Sequence, residues 1–242
     1  MNIYLHSIDG IADAIISMHM SKRTWTRDME QEIYRITNKV LDRNGRYQID
    51  PNSNDPDVIQ FNDWLKKLTK WGRQHITMLK FIDLSITVEG LHRGGQDDWD
   101  SHAKRFDNRI IRSSTRLARF GNEMSDFYKD KIIPTDEALK LWGINLPESI
   151  KKNGDTYVKT INGYVREDLK DDNDARRGLY MLSIPSNFIF RINLAEFAHV
   201  YKERNQNSHA NPEVKQCCEA IMDELNNAQP MFTRELMLEI KN

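Results

Sequence analysis

Apolar side chains recur at intervals of three and four residues over most of this 242-residue chain. The clearest stretch runs from Thr26 to Leu41, where Met29, Ile33, Ile36 and Val40 form one stripe. A stripe of this kind predicts an amphipathic helix with one buried face. The same periodicity predicts further helices over residues 58–69, 99–128, 175–182, 188–202, 212–226 and 232–240.

Alternation of apolar and polar residues is confined to short segments. Asn2–Leu5 and Leu79–Val88 alternate as strands with one buried face do. The pairs Asn153-Gly154 and Asn162-Gly163 flank Thr156–Ile161 and predict a small hairpin. Few strands among many helices predict an α/β or α+β class. We expect a helix-dominated single domain over residues 1–242 with a small sheet.

Charge and composition narrow the function classes. The formal net charge of −1 argues against a protein that coats nucleic acid, because duplex binders usually carry a basic excess. No apolar run approaches the ~20 residues of a membrane span, and no basic leader precedes the N-terminal apolar stretch. The adjacent Cys217 and Cys218 indicate a reducing compartment, and the seven histidines show no zinc-binding spacing. We expect a soluble, cytoplasmic protein without a metal.

A basic segment lies in the middle of the chain. If residues 99–128 are helical, Arg105, Arg109, Arg112 and Arg116 share one face, and the hydroxyls of Ser113–Thr115 lie beside them. Such a face binds a phosphate, or it is a solvated surface that acidic residues of a neighbouring element balance. The spacing alone leaves both interpretations open.

Two further segments carry candidate site residues. Arg176 and Arg177 stand in the first turn of a predicted helix, where their positive charge opposes the helix dipole. An anion, either a ligand or a carboxylate, would explain their position. Asn193 and His199 follow in the next predicted helix, and Arg204 lies just beyond its end. Taken alone, His199 is more typical of a structural histidine than of a catalytic one.

Several short motifs stand in a fixed order along the chain. They are Met18-His-Met-Ser21, His75-Ile-Thr77-Met-Leu79, Ser114-Thr-Arg116, Ala175-Arg176-x-x-Leu179, Asn193-Leu-Ala195, Glu203-Arg204 and Ala210-Asn-Pro-Glu-Val-Lys215. Together they resemble the motifs of flavin-dependent thymidylate synthases over most of the chain. The resemblance implies conversion of dUMP to dTMP by a homotetramer that uses FAD, with methylenetetrahydrofolate as carbon donor and NADPH as reductant.

The resemblance also implies roles for individual residues. Ser114 and Arg204 would act in catalysis. The nucleotide and its phosphate would be bound by Arg112, Ser114, Arg116, Arg176, Arg177 and Arg204. The flavin would be contacted by Ser21, His75, Thr77, Lys104, Arg105, Asn193 and His199.

Some positions depart from the family pattern. Lys104-Arg105-Phe106 stands where the family has Arg-His-Arg, and Ala195 stands where it has arginine. Two segments are predicted to be insertions relative to the family, about one helical turn within Gly90–His102 and the hairpin near residues 153–165. These departures predict an alternative, a relative that installs another one-carbon group, such as hydroxymethyl, on a pyrimidine nucleotide. A second alternative is a non-catalytic helical interaction protein whose arginines meet acidic partners.

Overall fold

A computed structural model describes residues 1–102, 109–113, 125–128, 130–160, 163–171, 182, 184–206 and 209–240, with the backbone alone at 100–102. Within these ranges the helices are α1 (Ile11–Ser21), α2 (Arg27–Val40), α3 (Pro56–Gly72), α4 (Arg93–His102), α5 (Thr135–Leu141), α6 (Leu194–Gln206), α7 (Pro212–Ala228) and α8 (Arg234–Glu239). The strands are β1 (Asn2–Asp9), β2 (Asp83–His92), β3 (Arg109–Arg112), β4 (Ser149–Lys152), β5 (Asp155–Thr160), β6 (Gly163–Arg166) and β7 (Pro185–Asn193). Short 3-10 turns cover Ile76–Phe81 and Glu167–Leu169.

Four strands form the central sheet in the order β1-β2-β7-β3, with every neighbouring pair antiparallel. Side chains alternate between its two faces, as the pleat requires. Ile86 pairs with Phe190, and both are buried in the same core as residues of α1, α2, α3, α6 and α7. On the other face, Ile111 pairs with Ile189, and both are exposed. The predicted class, a helix-dominated fold with a small sheet, is confirmed.

Local signals explain where the main helices begin. Thr26 caps α2, because its hydroxyl accepts a hydrogen bond from the backbone N–H of Met29 at 3.2 Å. Asp55 caps α3 and Asn211 caps α7 in the same way, and each precedes a proline in the first turn. These three helices agree with the predicted ones to within a few residues.

The second sheet is a three-stranded meander, β4-β5-β6. Asn153 and Gly154 both have positive φ angles, 52° and 90°, as a two-residue hairpin turn requires. The predicted hairpin is therefore present, with one further strand.

Three predicted elements differ from the structure. Arg109–Arg112 is a strand, so Arg109 and Arg112 do not share a helical face. The helix predicted from Phe188 is wrong in its first part, because Phe188–Asn193 completes β7 and α6 begins at Leu194. The strand predicted from Leu79 begins only at Asp83, after the 3-10 turn. In the first two cases pairing within the central sheet overrides the local pattern, whereas in the third the 3-10 turn replaces the start of the predicted strand.

Both cysteines lie on the buried side of α7 as free thiols. Burial raises the pKa of the Cys217 thiol and of the Cys218 thiol well above the usual range. No group of three or more His, Cys, Asp or Glu residues arranged to hold a metal ion occurs within the described ranges. Among the helices of those ranges, none combines the length and apolar character of a membrane span.

Candidate nucleotide site

An open cavity of about 410 Å³ lies between the end of α1 and the 3-10 turn after α3. It is lined by Ser17, Ser21, Gln74, His75, Ile76, Thr77, Met78 and Phe81. Three residues that the sequence assigns to the flavin, Ser21, His75 and Thr77, are therefore brought together here. Three hydroxyls, an amide and an imidazole line the cavity with polar groups, while Met78 and Phe81 add apolar surface. This mixture is typical of sites for small organic ligands.

The chain turns sharply to form this cavity. α3 ends at Gly72, where a Cβ atom would lie 2.8 Å from the side chain of Leu79. The backbone N–H of His75 donates to the Trp71 carbonyl at 2.8 Å, and the two rings stack 5.4 Å apart. The Trp71 indole thus packs against one face of the His75 imidazole and holds it in place.

Lysine ammonium groups lie near the Trp71 ring of this stack. The Lys22 ammonium lies 4.3 Å from the centre of the Trp71 ring. Its pKa is lowered by partial burial and by the nearby ammonium groups of Lys67 and Lys70. Partial burial, with Lys22 and Lys67, also lowers the pKa of His19. An anionic ligand beside His75 would meet a favourable potential.

Asn193 and His199 lie outside the lining of this cavity. Asn193 stands at the junction of β7 and α6, where its side-chain oxygen accepts from the backbone N–H of Glu196 at 2.9 Å. The next residue, Leu194, donates its N–H to the Ile82 carbonyl at 2.7 Å, just after the 3-10 turn. Asn193 is therefore close in the fold to the cavity-forming turn. His199 is half-buried on α6.

Arg204 and Arg112 each contact an aspartate of α4. The Arg204 guanidinium donates to the backbone carbonyl of Asp98 at 2.6 Å and lies 3.0 Å from its carboxylate. Arg112 lies 2.6 Å from the carboxylate of Asp97 and donates to the Gln96 carbonyl at 3.3 Å. Two arginines that the sequence assigns to the substrate thus converge on one helix.

A buried polar cluster escaped sequence analysis. The Glu213 carboxylate contacts the Nδ1 atom of His92 and accepts from the Ser125 hydroxyl at 2.8 Å. The other ring nitrogen of His92 lies 3.3 Å from the Asn211 amide, and Tyr128 packs edge-on against the ring. The cluster joins the end of β2, the start of α7 and residues 125–128. A glutamate in a first helical turn is ordinary, so its position in the sequence gave no signal of burial.

The remaining predicted site residues lie outside the described ranges. They are Lys104, Arg105, Ser114, Arg116, Arg176 and Arg177. The helix predicted over residues 175–182 also falls there, apart from its last residue.

A protein-family model described as thymidylate synthase complementing protein matches residues 12–231. The chain belongs to this family of flavin-dependent thymidylate synthases, which confirms the family that its motifs predicted. No curated protein matches the chain.

Solved structures with the same fold include family members at low identity. Thymidylate synthase X from Helicobacter pylori, crystallised with FAD and dUMP, is 11% identical, with a TM-score of 0.56 over 98% of this chain and 99% of that one. A UMP/dUMP methylase from Streptomyces cacaoi, bound with 5-Br dUMP, is 12% identical, with a TM-score of 0.55 over 96% of this chain and 92% of that one. At such identities the likeness shows the fold alone.

Proposed function

We propose that this chain is an FAD-dependent transferase that converts dUMP to dTMP, with methylenetetrahydrofolate as carbon donor and NADPH as reductant. One observation carries the proposal beyond family membership. Ser21 is more than fifty residues away from His75 and Thr77 in the sequence, yet all three line one cavity. Their hydroxyl and imidazole groups fit the polar edge of a flavin, and Met78 and Phe81 fit its apolar surface.

The protein's own contribution is binding and orientation. Bound FAD would supply reducing electrons. Around it, His75 would be positioned by Trp71, with Ser21 and Thr77 donating hydrogen bonds. Asn193, His199, Lys104 and Arg105 complete the proposed flavin set. Positive potential from arginines would hold the nucleotide phosphate and keep the base in a reactive orientation. We assign that role to Arg112, Arg116, Arg176, Arg177 and Arg204, with Ser114 and Arg204 nearest the reaction.

A second candidate is a diverged relative that installs another one-carbon group, such as hydroxymethyl, on a pyrimidine nucleotide. Ala195 at an arginine position of the family motif and the β4-β5-β6 meander favour it. Incubating the protein with dUMP, FAD, NADPH and methylenetetrahydrofolate, followed by mass spectrometry of the nucleotide, separates the two products. A third candidate is a non-catalytic helical interaction protein whose arginines meet acidic partners, and its support is that Arg112 and Arg204 bind carboxylates already within the chain. A purified protein without flavin absorbance, even after addition of FAD, would favour this third candidate.

FAD binding is the first expected result. Titrating FAD into the flavin-free protein should quench the flavin fluorescence at micromolar concentrations. His75→Ala should weaken binding about thirtyfold, since a hydrogen bond and a ring contact are each worth roughly 1 kcal/mol. His6→Ala is the matched control, because His6 is exposed and contacts Thr87 on the central sheet. Absence of quenching at tens of micromolar would contradict the proposal.

We also propose a homotetramer in the cytoplasm, formed by a single domain over residues 1–242 with the hairpin near residues 153–165 as an insertion. The proposed nucleotide arginines come from distant segments, which the family combines across subunits. Exposed apolar side chains support the proposal, since Ile111 is 74% exposed, Trp142 81% and Leu141 70%. Static light scattering at micromolar concentration should give the mass of four chains. The mass of one chain would rule out a shared site.

A further inference from the structure

Two consecutive aspartates of α4 contact two of the proposed substrate arginines. Asp97 lies 2.6 Å from Arg112 of β3, and Asp98 lies 3.0 Å from Arg204 of α6. The arginines approach from different elements of the fold, and α4 alone supplies both carboxylates. A carboxylate and a phosphate present similar oxygen acceptors to a guanidinium. Asp97 and Asp98 therefore occupy donors that a phosphate would use.

The arginines are more deeply buried than their aspartates. The side chains of Arg204 and Arg112 are 4% and 16% exposed, whereas those of Asp98 and Asp97 are 31% and 54% exposed. Each carboxylate is thus more accessible to solvent than the guanidinium group that it contacts. An anion from solvent that binds these guanidinium groups would have to displace the carboxylates. A carboxylate that remains partly hydrated is also easier to displace than a fully buried one.

Buried polar atoms beside these pairs indicate that the present arrangement of α4 leaves contacts unmade. Within the described ranges, the Gln96 side-chain oxygen, the Trp99 indole nitrogen and the Arg204 Nε atom are buried without a hydrogen-bond partner. Gln96 and Trp99 themselves are completely buried. Buried donors and acceptors are nearly always paired in folded proteins. The Arg204 Nε–H group in particular is a donor that remains for a further acceptor.

We propose that Asp97 and Asp98 are specificity-determining residues that compete with the substrate phosphate for Arg112 and Arg204. This inference rests on the proposed function, because it takes the ligand to be a uridine-type nucleotide. The carboxylates lower the affinity for a phosphate ester below the value that the arginines alone would give. Phosphate binding therefore requires both carboxylates to leave the guanidinium groups.

The test compares dUMP with deoxyuridine, which has the same base and sugar but no phosphate. Calorimetric titrations would use wild type, Asp97→Asn and Asp98→Asn, with a melting curve for each. We expect dUMP to bind about fivefold more tightly to Asp97→Asn, since an ion pair with an exposed carboxylate is worth up to roughly 1 kcal/mol. Asp98→Asn should tighten binding by about tenfold or more, and deoxyuridine affinity should not change.

Asp83→Asn is the matched control for a general rise in positive potential. Asp83 pairs with Arg109 at 2.8 Å on the same sheet, so the substitution removes the same charge nearby. Its dUMP affinity should stay within about twofold of wild type, because it competes for neither proposed anchor. An equal gain in Asp83→Asn would overturn the proposal.

The remaining outcomes separate the inference from the proposed function. Unchanged or weaker dUMP binding in folded Asp97→Asn and Asp98→Asn overturns the inference while leaving the transferase intact. Tighter dUMP binding without any carbon transfer to the nucleotide supports the inference and rejects the proposed reaction. If Asp98→Asn fails to fold, Asp97→Asn alone decides, because the Asp97 side chain is 54% exposed and its substitution is the milder one.

Discussion

Replacing Arg204 by alanine is expected to raise the dissociation constant for dUMP by about ten- to a hundredfold, the value of one charge-assisted contact. Lysine at this position should restore only part of the affinity, because an ammonium lacks the planar fork that binds two phosphate oxygens. Calorimetric titration of dUMP into wild type and both variants measures the effect. A melting curve should also show a loss of stability, because Arg204 is 3% exposed and joins α6 to α4.

Arg234→Ala is the matched control for this experiment. Arg234 also pairs with two carboxylates, those of Glu219 and Asp223, but it is 42% exposed and is not among the proposed site residues. Its loss should cost less than about 1 kcal/mol of stability and leave dUMP affinity unchanged. If Arg204→Ala folds and binds dUMP as well as wild type does, Arg204 is a structural residue and the proposed site loses its main anchor.

The sequence predicts helices well where three signals coincide. α2, α3 and α7 each combine an apolar stripe, a capping side chain and a suitable first turn, as at Thr26, Asp55-Pro56 and Asn211-Pro212. These signals are local, so they can be identified in the sequence without knowledge of the rest of the fold.

Strands of the central sheet are less accessible to sequence analysis. Phe188, Phe190 and Ile192 alternate inward, but Ile189 lies between them, and an apolar run of this kind also fits a helix. Arg109–Arg112 has only four residues, and its two isoleucines become a strand by pairing with Phe190 and Ile189. Such pairing depends on partners about eighty residues away, which periodicity does not reveal.

The candidate site likewise has one part that the sequence predicts and one part that it does not. Family motifs alone place Ser21, His75 and Thr77 in one group, and the fold brings them to one cavity. The acidic partners of Arg112 and Arg204 could not be predicted, because they depend on how α4 packs against β3 and α6. The charge pattern indicated that acidic residues could balance these arginines, but it did not indicate which residues do so.

The buried cluster around Glu213 yields the largest expected loss of stability. The Glu213 carboxylate is 2% exposed and accepts from the Ser125 hydroxyl and the backbone N–H of His92, and it also contacts the His92 ring. Glu213→Ala leaves these groups buried without an acceptor, and each unsatisfied group costs about 1–3 kcal/mol of stability. We expect the free energy of unfolding to fall by about 3–5 kcal/mol, measured by urea denaturation at constant pH.

A surface glutamate and a double-mutant cycle distinguish this network from a general effect of removing charge. Glu239 pairs with Arg73 and is 51% exposed, so Glu239→Ala should cost less than about 1 kcal/mol. Glu213→Ala combined with His92→Ala should cost at least about 1 kcal/mol less than the sum of the two single changes, because each change breaks the same contact. Additive losses would mean that His92 and Glu213 are stabilised by separate neighbours. A loss below about 1 kcal/mol for Glu213→Ala would mean that the contacts between β2, α7 and Ser125 do not stabilise the fold.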